Sequence, residues 1–595
     1  MDQETSSRTT NPIGLARTLA AAAVAACLGV VWTQALAVVV RGLSPDPASP
    51  EAWALPLSIA AVLVSLAASG ASRIRPRYDL AILGAAVAAA TMIMTVPGSL
   101  APSLALIPAA VGAAWLSYAI ASRLPEAIDA LPRTHRWRSG AWLAIAVVAV
   151  VQLTRLSTWI ADPHSDWSLT TEHPFWAKHE CLSAYVYGGE LALRGEDNVY
   201  DASHYPGLNP DAAPTTVLHE MTVEDPFQYA PQFLLWPAAA LALTSDYPSI
   251  RAVWFALQTT LFFAVVAWLG LWVGGRSGRL ALSLWPLAVS AFPALHALQY
   301  GQFHLAAIAL SVAAMLAFDR GCDRAGGALL AVATLSKIFP GVLLVVLLAH
   351  RKWSALAWTA AFAGLLTAAS FAVLGSAPFI AFFEYHLPRL QSGEAFAFGD
   401  AWPEVRDMVI VANHGVYGLV VKLGEMGVAG ASTGAAAWIN RGYGLAVLVA
   451  AWGVGRQGGF NREQQAVAWL ALLGLASMTS TGAFVDYVPL TATWLLTLLA
   501  WRVFVPTQSA ARTSPAATVT TRAALLIVWA SQYTLLGTVP LGDYFDPKVM
   551  LPLSALSTVI TLCVFGIPLY RMLRHARIAT AAPPRQLARA RMAES

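Results

Sequence analysis

Residues 335–353 read LSKIFPGVLLVVLLAHRKW. Lys337 stands between two apolar runs, Pro340 follows it as a helix breaker, and the second run ends on Arg351 and Lys352. An apolar run closed by cations is the pattern of a membrane helix that ends in the cytoplasm. A lysine set between two such runs is costly, and it marks a site by default. It can meet a phosphate as a point charge. The structural alternative is a lysine that snorkels at a helix end.

The same pattern extends outward along the chain. Of 595 residues, 57% are hydrophobic and 12% charged, with a mean hydropathy of +0.58. A soluble domain is roughly 45–50% apolar and about 25% charged. Half the usual charge density, with many long apolar runs, describes an all-α, polytopic membrane protein. The net charge of +4 is small, and no basic patch with interleaved aromatics is present, which excludes nucleic-acid binding. Cys27, Cys181, Cys322 and Cys563 are scattered, so neither a disulfide framework nor a cysteine zinc site is implied. The start, Met1 to Pro12, is polar and unlike a signal peptide, and the first apolar run reads as a retained helix.

Hydropathy predicts spans near 14–40, 52–71, 79–96, 103–122 and 140–160. Further spans fall near 252–274, 279–294, 301–318, 326–336, 338–350, 354–375, 433–455, 465–481, 489–503, 522–541 and 550–570. The total is about sixteen. Arg73, Arg75 and Arg77 follow the second span, and Arg123, Arg133, Arg136 and Arg138 the fourth. The positive-inside rule then places both ends in the cytoplasm. The apolar piece 231–243 would upset this parity if it crossed, so a re-entrant or interfacial element is expected there. Three parts follow: an accessory four-helix bundle (1–138), a working membrane module (139–575) and a basic, disordered tail (576–595).

Between Trp159 and Trp236 lies the longest polar insert, rich in carboxylates and histidines. In this topology it faces outward, together with a second polar segment near 380–410. In KHECLSAYVYGGELALRG the apolar positions recur near 3.6 residues and predict a surface helix ended by Gly195. Asp166 and Glu180 are the candidate general bases, since a carboxylate at the membrane boundary can withdraw a proton from a hydroxyl. Asp162 and Asp166 serve equally well as turn starters.

The histidines lack zinc-like spacing, so no metal site is expected, and a divalent cation is compatible with the chemistry but not required. Lys337 and Arg389 are the candidate phosphate cations. Tyr229 belongs to the proline- and aromatic-rich stretch DPFQYAPQFLLWP, which suits either a sugar-binding wall or plain packing. Gln302 and His304 end a span, and Asn413 suits either a sugar contact or a cap. No nucleotide-binding motif is present.

The order of pieces is that of a known family. A helix ending LALRGEDNVYD leads to FQYAPQFLLWP, Trp254, YGQFHLAAIAL, LSKIFPGVLLVVLLAHRKW, HLPRLQSGE and ANHGVYGLV. This series resembles glycosyltransferase family 87, over about residues 145–505. The resemblance implies a GT-C membrane fold with juxtamembrane helices on the outer face of the plasma membrane. It implies transfer of mannose or a similar sugar, with inversion, from a polyprenyl-phosphate donor to a lipid or glycan acceptor. It also implies an early outer-loop aspartate as base. Counting back from Gly195, that position falls near Glu180, and the family's Gly-Gln-x-Asn reads Gly301-Gln302-Phe303-His304 here.

The expected enzyme therefore uses Glu180 or Asp166 as base, Lys337 and Arg389 for the leaving phosphate, and Tyr229, Gln302, His304 and Asn413 around the sugar and acceptor. One rival is a transporter or flippase, which would carry charges deep in several helices and show pseudo-symmetric halves. Others are a non-catalytic relative and a transferase that moves a whole oligosaccharide.

Overall fold

The computed structural model describes residues 15–42, 136–161, 167–168, 181–205, 226–275, 278, 281–282, 285–396, 406–457, 459–483 and 547–581. The described residues are helical and form no strands, as expected of an all-α protein. The spans expected near 52–71, 79–96, 103–122, 489–503 and 522–541 lie outside them.

The chain forms two compact units, Met1–Ala161 and Asp162–Ser595. In the first, α1 (Leu15–Gly42) packs on α2 (Arg136–Ala161). The second contains α3 (Cys181–Arg194), α4 (Leu235–Leu243), α5 (Tyr247–Val273), α6 (Phe292–Gln299), α7 (Phe303–Asp319), α8 (Asp323–Ser336), α9 (Val342–Ala349) and α10 (Trp353–Leu374). It continues through α11 (Val416–Glu425), α12 (Thr433–Arg456), α13 (Arg462–Ser477) and α14 (Pro547–Ala581). The last helix thus runs into the tail expected to be disordered from residue 576.

Local chemistry sets the boundaries. Asp246 accepts from Ser249 N at 3.1 Å to cap α5, with Pro248 in the first turn, where its missing N–H costs nothing. Asn461 and Gln464 close a capping box on α13. Lys337 ends α8, and the short turn Phe339–Gly341 redirects the chain into α9.

Among the described residues, four helices are long and apolar enough to cross a membrane: 142–161, 247–273, 353–374 and 548–574. A fifth crossing arises if α6 and α7, bent by 115° at their junction, make one span. The apolar piece Pro231–Leu243 is helical but shorter than the roughly 20 residues a crossing needs. Helix α7 lies at the centre of the second unit, buried along almost its whole length and packed on α5 and α8. Beyond it, α8 packs on α10, α9 on α12, and α13 on α14.

The structure corrects one expectation. Helix α3 forms where periodicity predicts it, and Gly195 ends it at φ +81°. It is not a solvated surface helix: eleven of its residues are buried. Its partners are α4, α10 and the turn at Pro231–Leu234. Tyrosine and small residues cover the face that the pattern leaves for water, and these bury readily once their hydroxyls find partners.

Candidate active site

The site is built on an aromatic platform. Tyr185 on α3 and Tyr229 hydrogen-bond hydroxyl to hydroxyl. Their rings meet edge to face at 4.7 Å, and Phe233 stacks on Tyr229 at 4.5 Å. Tyr200 donates its hydroxyl to Tyr229 O at 3.0 Å. The bend between α6 and α7 brings the next group in. Gly301 holds φ +62°, and a Cβ there would lie 2.7 Å from Leu182 Cβ. Trp254 Nε1 donates to Gly301 O at 2.7 Å, and Trp236 stacks on Trp254 at 4.3 Å. Cys181 N donates to Tyr300 O at 2.9 Å, tying the start of α3 to the same bend.

Four expected residues meet here. Lys337 Nζ lies 3.7 Å from the centroid of the Tyr229 ring, a cation–π contact. Gln302 Oε1 accepts from His304 Nδ1 at 3.2 Å, and the His304 ring stacks on Phe339 at 5.4 Å. With Nδ1 carrying the proton, Nε2 of a neutral His304 is an acceptor for a hydroxyl. All four of Tyr229, Gln302, His304 and Lys337 line one cavity of about 640 Å³. This is the size of a typical small-ligand site.

Two expected residues stand elsewhere. Arg389 Nη1 donates to Glu394 Oε1 at 2.6 Å, and its guanidinium lies 4.9 Å from the Tyr385 ring. Its neighbours Leu387, Leu390 and Gln391 line the cavity, but Arg389 does not. Asn413 is a backbone brace. Its Nδ2 donates to Thr481 O at 2.7 Å, and its Oδ1 accepts from Gly415 N at 3.0 Å and Ala483 N at 3.3 Å. Both ends of the side chain are thus committed to the backbone, closer to a cap than to a sugar contact.

The candidate bases Asp166 and Glu180 lie outside the described residues. Glu180 directly precedes Cys181, a cavity-lining residue, and Asp166 is two residues before Ser168, which accepts from Gln299 Nε2 at 2.9 Å. Among the described residues no carboxylate lines the cavity, and no cluster of histidine, cysteine or acidic groups suits a metal ion.

Sequence reading passed over Tyr185, Asn440 and Arg441, which also line the cavity. The rule that singles out Lys337 applies equally to Arg441, a cation inside the apolar run 433–455.

Residues 227–481 match glycosyltransferase family 87. The resemblance noted in the motifs is thereby borne out, as is the expectation of a sugar-transferring enzyme in a membrane. The family 87 region supplies nearly the whole cavity wall, with only Cys181, Ala184, Tyr185, Pro226 and Gly482 outside it. No curated protein and no solved structure matches the chain.

Proposed function

We propose that this protein transfers mannose or a similar sugar from a polyprenyl-phosphate donor to a lipid or glycan acceptor at the extracytoplasmic face of the plasma membrane. The observation that carries the reading is the cavity in the family 87 region, where Lys337, Gln302, His304 and Tyr229 line one wall of mixed charge, hydrogen-bonding and aromatic character.

The reaction is a single in-line displacement. The acceptor oxygen forms a bond to the anomeric carbon as the bond from that carbon to the phosphate oxygen breaks. The acceptor proton passes to a carboxylate, and the electron pair leaves with the polyprenyl phosphate. Glu180 is the proposed proton acceptor, because its chain neighbour Cys181 lines the cavity, and Asp166 is the alternative. Lys337 would neutralise charge developing on the phosphate, where a preorganised cation in a water-poor site is worth most. Gln302 and His304 would bind sugar hydroxyls, and Tyr229 would offer the ring face against which a pyranose packs. Arg389, engaged by Glu394, is left out of this assignment. No resident cofactor or metal is needed by the scheme, since a phosphate leaving group requires little acid help.

The test is purified full-length protein with radiolabelled polyprenyl-phosphate sugars and a membrane lipid extract. Label should move to an acceptor, with inverted configuration, and Glu180→Gln or Asp166→Asn should abolish transfer and so assign the base. Absence of transfer from every such donor, with solute uptake into vesicles instead, would replace this reading with a transporter.

A further inference from the structure

Asn440 and Arg441 lie in the first half of helix α12, and both line the cavity. Asn440 gives its amide N–H to Thr479 O at 2.7 Å, while its Oδ1 is buried and meets no donor. Arg441 adds the opposite property. Its guanidinium sits 5.0 Å from the Trp438 ring, and it joins no ion pair among the described residues. Its donors suit a phosphate, which an arginine can grip through two parallel bonds.

The surroundings say how a ligand arrives. Ile338 is 68% exposed and Leu448 46% exposed, and both also line the cavity. The cavity therefore opens past apolar side chains between the end of α8 and the flank of α12. Trp438, beside Arg441, is 72% exposed. Exposed tryptophan with a neighbouring cation is the composition of a membrane–water boundary. A molecule that passes this lip and reaches Arg441 has an apolar body and a hydrophilic head.

We infer that Arg441 forms a head-group subsite at a lateral mouth of the cavity, taking a lipid-borne ligand whose head carries a phosphate. This rests on the transferase reading for the identity of the chamber behind it, but not on Lys337 or on either candidate base. Two lipids have this chemistry in such a reaction, the sugar-bearing polyprenyl phosphate and a phosphate-bearing acceptor. Arg441 is a binding residue under this proposal, and if the ligand is the donor it shares with Lys337 the single phosphate that later leaves.

The experiment measures lipid binding to the full-length protein in nanodiscs by native mass spectrometry. The probes are polyprenyl-phosphate mannose, the matching polyprenol and phosphatidylglycerol. Arg441→Gln should weaken one of the two phosphate lipids about tenfold and leave the polyprenol unchanged. Loss confined to polyprenyl-phosphate mannose assigns the subsite to the donor, and loss confined to phosphatidylglycerol assigns it to the acceptor side. Arg441→Lys, which keeps the charge without the fork, should lose less. Unchanged binding in both phosphate arms overturns the proposal, and so does equal loss of all three probes in both variants. Lys337→Gln is run beside them. If it leaves binding of polyprenyl-phosphate mannose and sugar transfer intact, the catalytic assignment falls while the Arg441 result stands.

Discussion

The Lys337 ammonium lies 3.7 Å from the Tyr229 ring in the described cavity wall, and it is the cation assigned above to the departing phosphate. Lys337→Gln should lower kcat by roughly 10²–10³-fold with a smaller change in KM, the signature of an interaction made mainly in the transition state. Steady-state kinetics with a polyprenyl-phosphate donor checks this. Lys422 is a different kind of lysine. It is fully buried, donates to Asn413 O and to Ser554 Oγ (2.6 Å), and burial pushes its ammonium down to about 7 from 10.5. The folded-state value lies below the unfolded one. As pH falls from 10.5, the unfolded chain takes up a proton that the folded chain refuses until about 7. Stability is therefore greatest in alkali, declines towards neutrality and levels off below it. Wild type should gain on the order of a few kcal/mol relative to Lys422→Met between neutral and alkaline pH, read from melting curves in detergent. At this scale the sequence was legible where a charge sits in an apolar setting. It singles out Lys337 on that ground, and the same rule applied inside the run 433–455 reaches Arg441; both line the cavity. The partners of Arg389 and Asn413 were not legible, because they are protein groups that no local pattern announces: Glu394 five residues on, and the backbone near 481–483, far away in sequence.

Two close approaches decide how the elements fit. At Gly301 the positive φ and the nearness of Leu182 leave no room for a side chain, because the bend from α6 to α7 presses on the start of α3. Gly301→Ala should cost roughly 1–3 kcal/mol and displace Gln302 and His304, so activity falls further than the melting temperature alone would suggest. Gly474 on α13 faces the Phe565 ring of α14 with no space for a methyl group. Gly474→Ala should destabilise by a similar ~1–3 kcal/mol, and adding Phe565→Leu should recover part of the loss. Thermal melts of the single and double variants decide it. Element type was readable from hydropathy and periodicity, as with α3 and its stop at Gly195. Its burial was not, because helical spacing records which face is apolar but not which distant tyrosine satisfies the other. The break between the spans near 279–294 and 301–318 was readable from hydropathy, but its 115° angle was not, because polar residues mark where a helix stops and not which way the next one turns.

At the scale of the whole molecule, the cavity belongs to an apolar helical assembly and opens past Ile338 and Leu448. Such a chamber should favour substrates held in the bilayer. A donor cut to a single five-carbon unit should show a KM at least ~100-fold higher than the long-chain donor, with kcat nearly kept, because each buried methylene contributes about 0.8 kcal/mol. Kinetics in mixed micelles at constant surface dilution measures this. The family 87 motifs made the class of the molecule legible, and the match over 227–481 agrees. Those motifs do not extend to α14, which nonetheless takes part in the cavity wall's support. Ser554 on α14 donates to Val411 O and receives the Lys422 ammonium, which in turn holds Asn413, the brace for Thr481. A gene truncated just after codon 483 would still encode every described lining residue, yet its product would lack the peg that keeps one side of the chamber upright. Loss-of-function alleles should therefore fall in the distal coding region as readily as in the stretch that matches family 87.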